Sequence, residues 1–153
     1  MIRKLRPDVN SSQIFKPVSQ LASALECLRG KIDSKLLSKA ETLFKELTTD
    51  PSKNRLLHGD LHHDNILSSG DKWVAIDPHG YIGPAAFETG AMIRNPYDCF
   101  PKKEPLKKVL ETRLKVLTDE LPFDPHEIHG WAFAYTIMAT GWSVADHGEV
   151  PRF

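Results

Sequence analysis

The chain of 153 residues has no surplus of charge and no long apolar run, and each of these absences excludes a class of protein. Twenty Lys and Arg balance twenty Asp and Glu, so no net field attracts nucleic acid or an anionic membrane. The longest stretch without Asp, Glu, Lys, Arg or His, residues 130–145, is shorter than the roughly 20 apolar residues that a membrane span needs. We therefore expect neither a nucleic-acid partner nor a membrane partner.

Cysteines and export signals are also scarce. Cys27 and Cys99 are the two cysteines, and they lack the spacing of a metal site or a redox pair. The first residues are basic but lead into polar residues, whereas a secretory signal would continue into an apolar core. These features favour reduced thiols and a cytoplasmic location.

The residues that are present predict one α+β domain that is mostly helical. Apolar residues make up 41% of the chain and charged residues 26%, as in globular proteins. Short apolar runs at residues 55–57, 65–67 and 72–76 predict strands, with a turn at 68–71 between the last two. Helical spacing predicts a helical bundle around this small β hairpin, with helices at residues 18–28 (ending at Gly30), from a cap at Asp33 or Ser34 to Leu47, at 85–94, at 106–121 and from Asp124-Pro125 onward.

The most informative motif is His-Gly-Asp-Leu-His-His-Asp-Asn at residues 58–65, followed by an Asp-Pro pair at 77–78. Phosphoryl transfer needs an acid that orients the acceptor hydroxyl, and a carboxamide and a second acid that hold a metal ion. Asp60, Asn65 and Asp77 have the order and spacing for these three tasks. Oxygen ligands of this kind favour Mg²⁺. We expect Asp77 to emerge from the end of a buried strand.

These motifs carry a family resemblance. Residues 58–67 and 73–84 resemble the aminoglycoside and hydroxyurea phosphotransferases, and within them the streptomycin 6-kinase branch. Residues 87–96 resemble the stretch that follows the metal-binding loop in that branch. The resemblance implies a protein-kinase-like C-terminal lobe, ATP and Mg²⁺ as cosubstrates, and phosphorylation of a hydroxyl on a small polar acceptor, such as the aminoglycoside streptomycin.

Residue by residue, the resemblance implies catalysis by Asp60 and Mg²⁺ binding by Asn65 and Asp77. It makes His58 a scaffold residue that ties the catalytic loop to its surroundings. Glu88 stands where related sequences usually carry Asp, at a position that supports the catalytic loop.

A second lobe is expected to be missing from residues 1–153. Kinase-like enzymes grip the nucleotide with a smaller N-terminal lobe that supplies a glycine-rich loop and a strand lysine. Before Leu56 the only glycine is Gly30, and no strand-lysine motif is present. We expect the chain to be a single C-terminal lobe that has weak or no activity alone, with the nucleotide clamp supplied by a missing segment or a partner chain.

The implied acceptor would need acidic residues at its binding site on this lobe. An aminoglycoside is polycationic, so carboxylates should line its site. Asp64 is a candidate because it lies within the motif. Asp146 is a second candidate because its helix is expected to end near the catalytic loop.

Three other interpretations remain open from the residues. Asp60 and Asn65 are also common turn residues. The chain is alternatively a catalytically silent, kinase-like binding module. A metal-dependent hydrolase is a third reading, although the order of the residues differs from known two-metal sites, and its ligands would be His58, Asp60, His62, His63 and Asp64.

Overall fold

The computed structural model describes residues 15–95 and 105–150, and over these ranges the chain is mostly helical with two small sheets. This confirms the predicted α+β class. The helices are α1 Ser23–Glu26, α2 Ser34–Leu47, α3 Glu88–Arg94, α4 Leu106–Glu120 and α5 Pro125–His147. The strands are β1 Lys16–Pro17, β2 Asn54–Leu57, β3 Ile66–Ser69, β4 Lys72–Ala75 and β5 Tyr81–Pro84. Residues 96–104, which include Cys99, lie outside the described residues.

Helix α5 forms the centre of the molecule. Asp124 caps its first turn by accepting a hydrogen bond from the backbone N–H of His126 at 2.8 Å, and Pro125 follows as the first helical residue, as predicted. The helix ends at Gly148, whose φ of 80° suits a left-handed C-terminal cap. Its buried side packs against α1, α2 and α3, and this packing forms the main core.

Helix α2 confirms the predicted start and most of the apolar stripe that helical spacing predicts, which consists of Leu36, Leu37, Ala40, Leu43, Phe44 and Leu47. Asp33, the first of the two candidate caps, accepts a hydrogen bond from the backbone N–H of Lys35 at 2.7 Å. Leu37, Ala40 and Phe44 are buried, but Leu36 is 44% exposed and does not belong to the stripe. Leu36 lies about 100° around the helix from Leu37 and falls on the side that faces away from the core.

The predicted helix at residues 18–28 is only partly present. Residues Val18–Ala22 form a 3-10 helix, and the α-helix that follows spans only Ser23–Glu26. Val18, Leu25 and Leu28 are nevertheless buried. A spacing of three residues fits both kinds of helix, so the apolar pattern identified the buried residues but not the hydrogen bonding.

The strands form two separate sheets. Strands β3 and β4 pair as the predicted hairpin, with Ile66 opposite Ala75. Strand β2 pairs antiparallel with β5, and β5 pairs parallel with β1. The sequence did not predict β1 or β5, and it placed β2 without a partner.

The strand before Asp77 is exposed, so the expectation of a buried strand was wrong. Trp73 is 66% exposed, and Leu67 and Val74 are 47% and 44% exposed. In β4 only Ala75, at the end of the strand, is half-buried.

Among the described residues, no helix combines the length and apolar character needed to cross a membrane.

Candidate functional site

The candidate site is built from two loops. The first loop, residues 58–65, connects β2 to β3, and the second loop, residues 76–80, connects β4 to β5. Because β2 and β5 pair directly, with Leu57 opposite Tyr81, the start of the first loop lies beside the end of the second. The two loops therefore meet at one end of the three-stranded sheet.

Glu88 anchors the first loop from the protein interior. This residue is 1% exposed, and its Oε1 accepts hydrogen bonds from the backbone N–H groups of His58 at 2.6 Å and Gly59 at 3.2 Å. Its Oε2 lies 3.2 Å from the same Gly59 nitrogen. Burial raises the pKa of Glu88, and the backbone N–H groups that bind the carboxylate counter only part of that rise. The Glu88 side chain thus reaches the loop.

His58 ties the two loops together through its ring and its carbonyl. Its Nε2 lies 2.6 Å from the carbonyl oxygen of Ile76, and its Nδ1 accepts a hydrogen bond from the backbone N–H of Asp60 at 3.3 Å. These partners assign the ring proton to Nε2. The His58 carbonyl accepts from the backbone N–H groups of His79 and Gly80, at 2.8 and 3.1 Å.

Gly59 allows the close approach of the two loops. Its φ is 88°, a region that side chains disfavour, and a Cβ at this position would overlap the ring of Tyr81. The motif therefore requires glycine here because of both backbone shape and lack of space.

Asp60 is contacted from two sides. The hydroxyl of Tyr135, from the middle of α5, donates a hydrogen bond to Oδ1 at 3.3 Å. Nε2 of His62 lies 3.3 Å from Oδ2. The Asp60 side chain remains 26% exposed, so the carboxylate is held in place and still reachable from solvent.

Asn65 and Asp77 lie on connected backbone. The side-chain Nδ2 of Asn65 donates to the backbone carbonyl oxygen of Asp60 at 2.9 Å. The side-chain Oδ1 of Asn65 is therefore the atom suited to a metal ion. The backbone carbonyl of Asn65 accepts a hydrogen bond at 3.0 Å from the backbone N–H of Ile76, the residue before Asp77. Asp77 is exposed and has a φ of 54°, in the left-handed region that Asp tolerates better than most residues.

The donor set fits Mg²⁺ better than it fits zinc. Mg²⁺ keeps several waters and needs only one or two protein carboxylates among its oxygen ligands. Asp77 can provide a carboxylate and Asn65 a carboxamide oxygen. In residues 15–95 and 105–150 no three His, Cys, Asp or Glu side chains are grouped for a metal ion. Both ring nitrogens of His58 are engaged with backbone groups. The hydrolase interpretation therefore gains no support from this part of the chain.

The two candidate acceptor residues lie in different places. Asp64 is exposed on the first loop, with its Oδ2 at 3.5 Å from Nδ1 of His62. Asp146 is exposed near the end of α5. Helix α5 reaches the first loop at Tyr135, eleven residues before Asp146, and at 1.5 Å per residue this separation is about 16 Å along the axis. Asp64 therefore lies in the first loop itself, whereas the structure shows no contact between Asp146 and this loop.

Comparison with known proteins settles the family. The family model for aminoglycoside/hydroxyurea antibiotic resistance kinase matches residues 8–148. The chain belongs to this family. The predicted resemblance is therefore confirmed.

Three curated relatives resemble this family member. A streptomycin 3''-kinase from Klebsiella pneumoniae is 32% identical over 145 residues, which is 92% of the chain and 51% of the relative. A streptomycin 6-kinase from Streptomyces glaucescens is 26% identical and covered over 42% of its length, and a hydroxyurea phosphotransferase from Kitasatospora aureofaciens is 28% identical and covered over 32%. The chain thus spans about half the length, or less, of these relatives. No solved structure gives a significant match.

Tyr135 is the contact that sequence reasoning missed. It belongs to an aromatic run on α5, a pattern that usually marks core residues, and it is indeed 2% exposed. Its partner Asp60 lies 75 residues earlier in the chain. No local pattern distinguishes a core tyrosine from one whose hydroxyl reaches a loop.

Proposed function

We propose that the protein carrying this chain transfers a phosphoryl group from ATP to a hydroxyl group of a small polar acceptor. The observation that supports this most is the direct bonding between the two loops. Ile76 is held to His58 through its carbonyl and to Asn65 through its N–H. These two bonds keep Asp60, Asn65 and Asp77 on one connected piece of backbone, in the order that phosphoryl transfer uses.

In this proposal the Asp60 carboxylate accepts a hydrogen bond from the acceptor hydroxyl and aligns its oxygen with the phosphate. Asn65 Oδ1 and the Asp77 carboxylate would hold Mg²⁺, which neutralises charge on the phosphate groups when it is bound. His58 and Glu88 position the first loop. Each of these residues keeps the loops in a fixed geometry before any ligand arrives, and such preorganisation lowers the entropic part of the barrier.

The acceptor is proposed to be an aminoglycoside such as streptomycin. Two of the relatives are streptomycin kinases by name, and the third is a hydroxyurea phosphotransferase. Asp64 supports a cationic acceptor, because it is exposed four residues from Asp60 on the same loop. Which hydroxyl receives the phosphate is not encoded in these loops, since the two streptomycin kinases are named for different positions.

We also propose that a nucleotide-clamping lobe packs on the β3–β4 hairpin. The hairpin exposes Leu67, Trp73 and Val74, and an apolar surface of this kind favours a protein partner. The relatives are about twice as long as the chain or longer. The clamp would come from a further segment or a partner chain in the cytoplasm.

The test of the proposed function is a phosphorylation assay on the complete protein, with Mg-ATP and a panel of aminoglycoside and other hydroxyl acceptors. Replacing Asp60→Asn should lower kcat by about a thousandfold, which is within the range for loss of a general base. The matched control is Asp119→Asn, which changes an exposed aspartate near the end of α4. No phosphorylated product from any acceptor would reject the proposal.

A binding module without catalysis is the alternative candidate. Calorimetric titration of residues 1–153 with Mg-ATP separates the two. We expect binding weaker than micromolar for the chain alone and a clear gain when the clamp is present. A complete protein that also fails to bind Mg-ATP would favour the binding module.

A further inference from the structure

The Asp60 carboxylate is held by a residue from a distant part of the chain. Tyr135 reaches it from α5, 75 residues away in sequence, and donates to Oδ1 at 3.3 Å. On the other side, Nε2 of His62 lies 3.3 Å from Oδ2. A carboxylate contacted at both oxygens has little freedom to rotate about its Cβ–Cγ bond.

The Tyr135 side chain is itself fixed in place. Its ring meets Phe87 edge-on at 5.4 Å and Trp142 at 5.8 Å between ring centroids. Its Cβ and Cγ press against Gly90 of α3, where a Cβ would overlap them. The lack of a side chain at Gly90 therefore sets the distance between α3 and α5, and with it the position of the hydroxyl.

The Tyr135 hydroxyl can act only as a donor towards Asp60. Burial, followed by the nearby Asp60 charge, raises the pKa of Tyr135 above its ordinary value. The hydroxyl consequently keeps its proton at neutral pH. Because a carboxylate oxygen accepts more than one hydrogen bond, this contact leaves room for an acceptor hydroxyl on the exposed part of Asp60.

We propose that Tyr135 is a positioning residue of the phosphotransfer site, whose hydroxyl fixes Asp60 in the orientation that meets the acceptor hydroxyl. This inference rests on the proposed function. It assigns to α5 a role in catalysis in addition to its role in the core. A misplacement of about 1 Å at a reacting group can lower the rate by about a hundredfold, so a single hydroxyl can matter here.

The test is Tyr135→Phe in the complete protein, which removes the hydroxyl and keeps the packed ring. We expect kcat to fall by about tenfold to a hundredfold, while KM for the acceptor and for Mg-ATP changes by less than about twofold. The control is Thr136→Val on the same helix, since its hydroxyl donates only to the Ala132 carbonyl, at 2.7 Å. The control should keep kcat and KM near wild type.

Two kinetic results would overturn the inference. The first is a kcat for Tyr135→Phe within twofold of wild type. The second is a raised KM with unchanged kcat, because this pattern indicates that Tyr135 contacts the acceptor and does not position Asp60.

A double-mutant cycle in unfolding separates this inference from the proposed function. Tyr135→Phe, Asp60→Ala and the double variant are compared by denaturant unfolding, which needs no activity. Tyr135→Phe raises the unfolding constant by some factor in each background. We expect this factor to be about fivefold larger when Asp60 is present than when residue 60 is Ala. If the complete protein is inactive but the cycle shows this coupling, the proposed function fails and the contact stands. Additive effects would overturn the contact itself.

Discussion

Removal of the Glu88 carboxylate should destabilise the chain more than most single substitutions. The carboxylate is buried and accepts hydrogen bonds from the backbone N–H groups of His58 and Gly59. Glu88→Ala leaves these two buried donors without their acceptor, at a cost of about 1–3 kcal/mol each. The substitution also removes a charge that is costly to bury, which offsets part of this loss. We therefore expect a decrease of about 3 kcal/mol in the free energy of unfolding.

The assay is urea unfolding followed by far-ultraviolet circular dichroism at neutral pH. Glu41→Ala serves as the control, because Glu41 pairs with Arg29 at 2.8 Å on the exposed surface. Such a pair contributes at most about 1 kcal/mol. A loss below about 1 kcal/mol for Glu88→Ala would refute the idea that the first loop depends on a buried anion.

The pH dependence of the same site gives a second, independent check. Since burial raises the pKa of Glu88, the native state binds its proton at a higher pH than the unfolded chain does. Its contribution to stability is thus fully present below the unfolded value near 4.5 and is lost as the pH rises through the native pKa. Glu88→Gln does not titrate. Lowering the pH from about 8 to about 5 should therefore stabilise the wild type relative to Glu88→Gln. A relative loss of wild-type stability over this range would contradict the argument.

The remaining predictions concern the helices and the acceptor. Gly90→Ala should lower stability by about 2 kcal/mol in denaturant unfolding, because the new methyl group overlaps Tyr135, and an unchanged midpoint would show that α3 and α5 can move apart. Asp124→Ala should cost about 1 kcal/mol by the same assay through loss of the α5 cap, whereas Asp124→Asn should cost much less. Asp64→Asn should raise KM for a cationic acceptor severalfold and leave KM for Mg-ATP unchanged, and the same is expected of Asp146→Ala if its role in acceptor binding holds. Equal effects on both substrates would reject either assignment.

The parts of the fold that could be predicted from sequence depend on local chemistry. Asp33 and Asp124 were recognised as helix caps because capping needs only a short polar side chain before an apolar stripe. The β3–β4 hairpin was recognised because a Ser-Ser-Gly-Asp turn separates two apolar runs. In each case the residues that decide the structure lie within a few positions of one another.

The parts that were missed depend on contacts between distant residues. Strand β5 contains Gly83 and Pro84, which usually indicate a loop, and it forms because β2 and β1 pair with it from both sides. The exposure of Trp73 was missed because an apolar run alone does not reveal whether another layer covers it. Tyr135 was missed for the same reason, since its hydroxyl meets Asp60 only after α3 and α5 pack.

The first loop, which carries Asp60, is held in place by residues from three other parts of the fold. The first loop is anchored to α3 through Glu88, to the second loop through His58 and to α5 through Tyr135. These anchors come from three separate elements, so the loop cannot move as a rigid body without breaking at least one of them. A loop that is fixed before its ligands bind loses little further entropy when they do. The anchors therefore extend the candidate site well beyond the residues that would touch substrate or metal, and a substitution at any of them should reduce transfer through the position of Asp60.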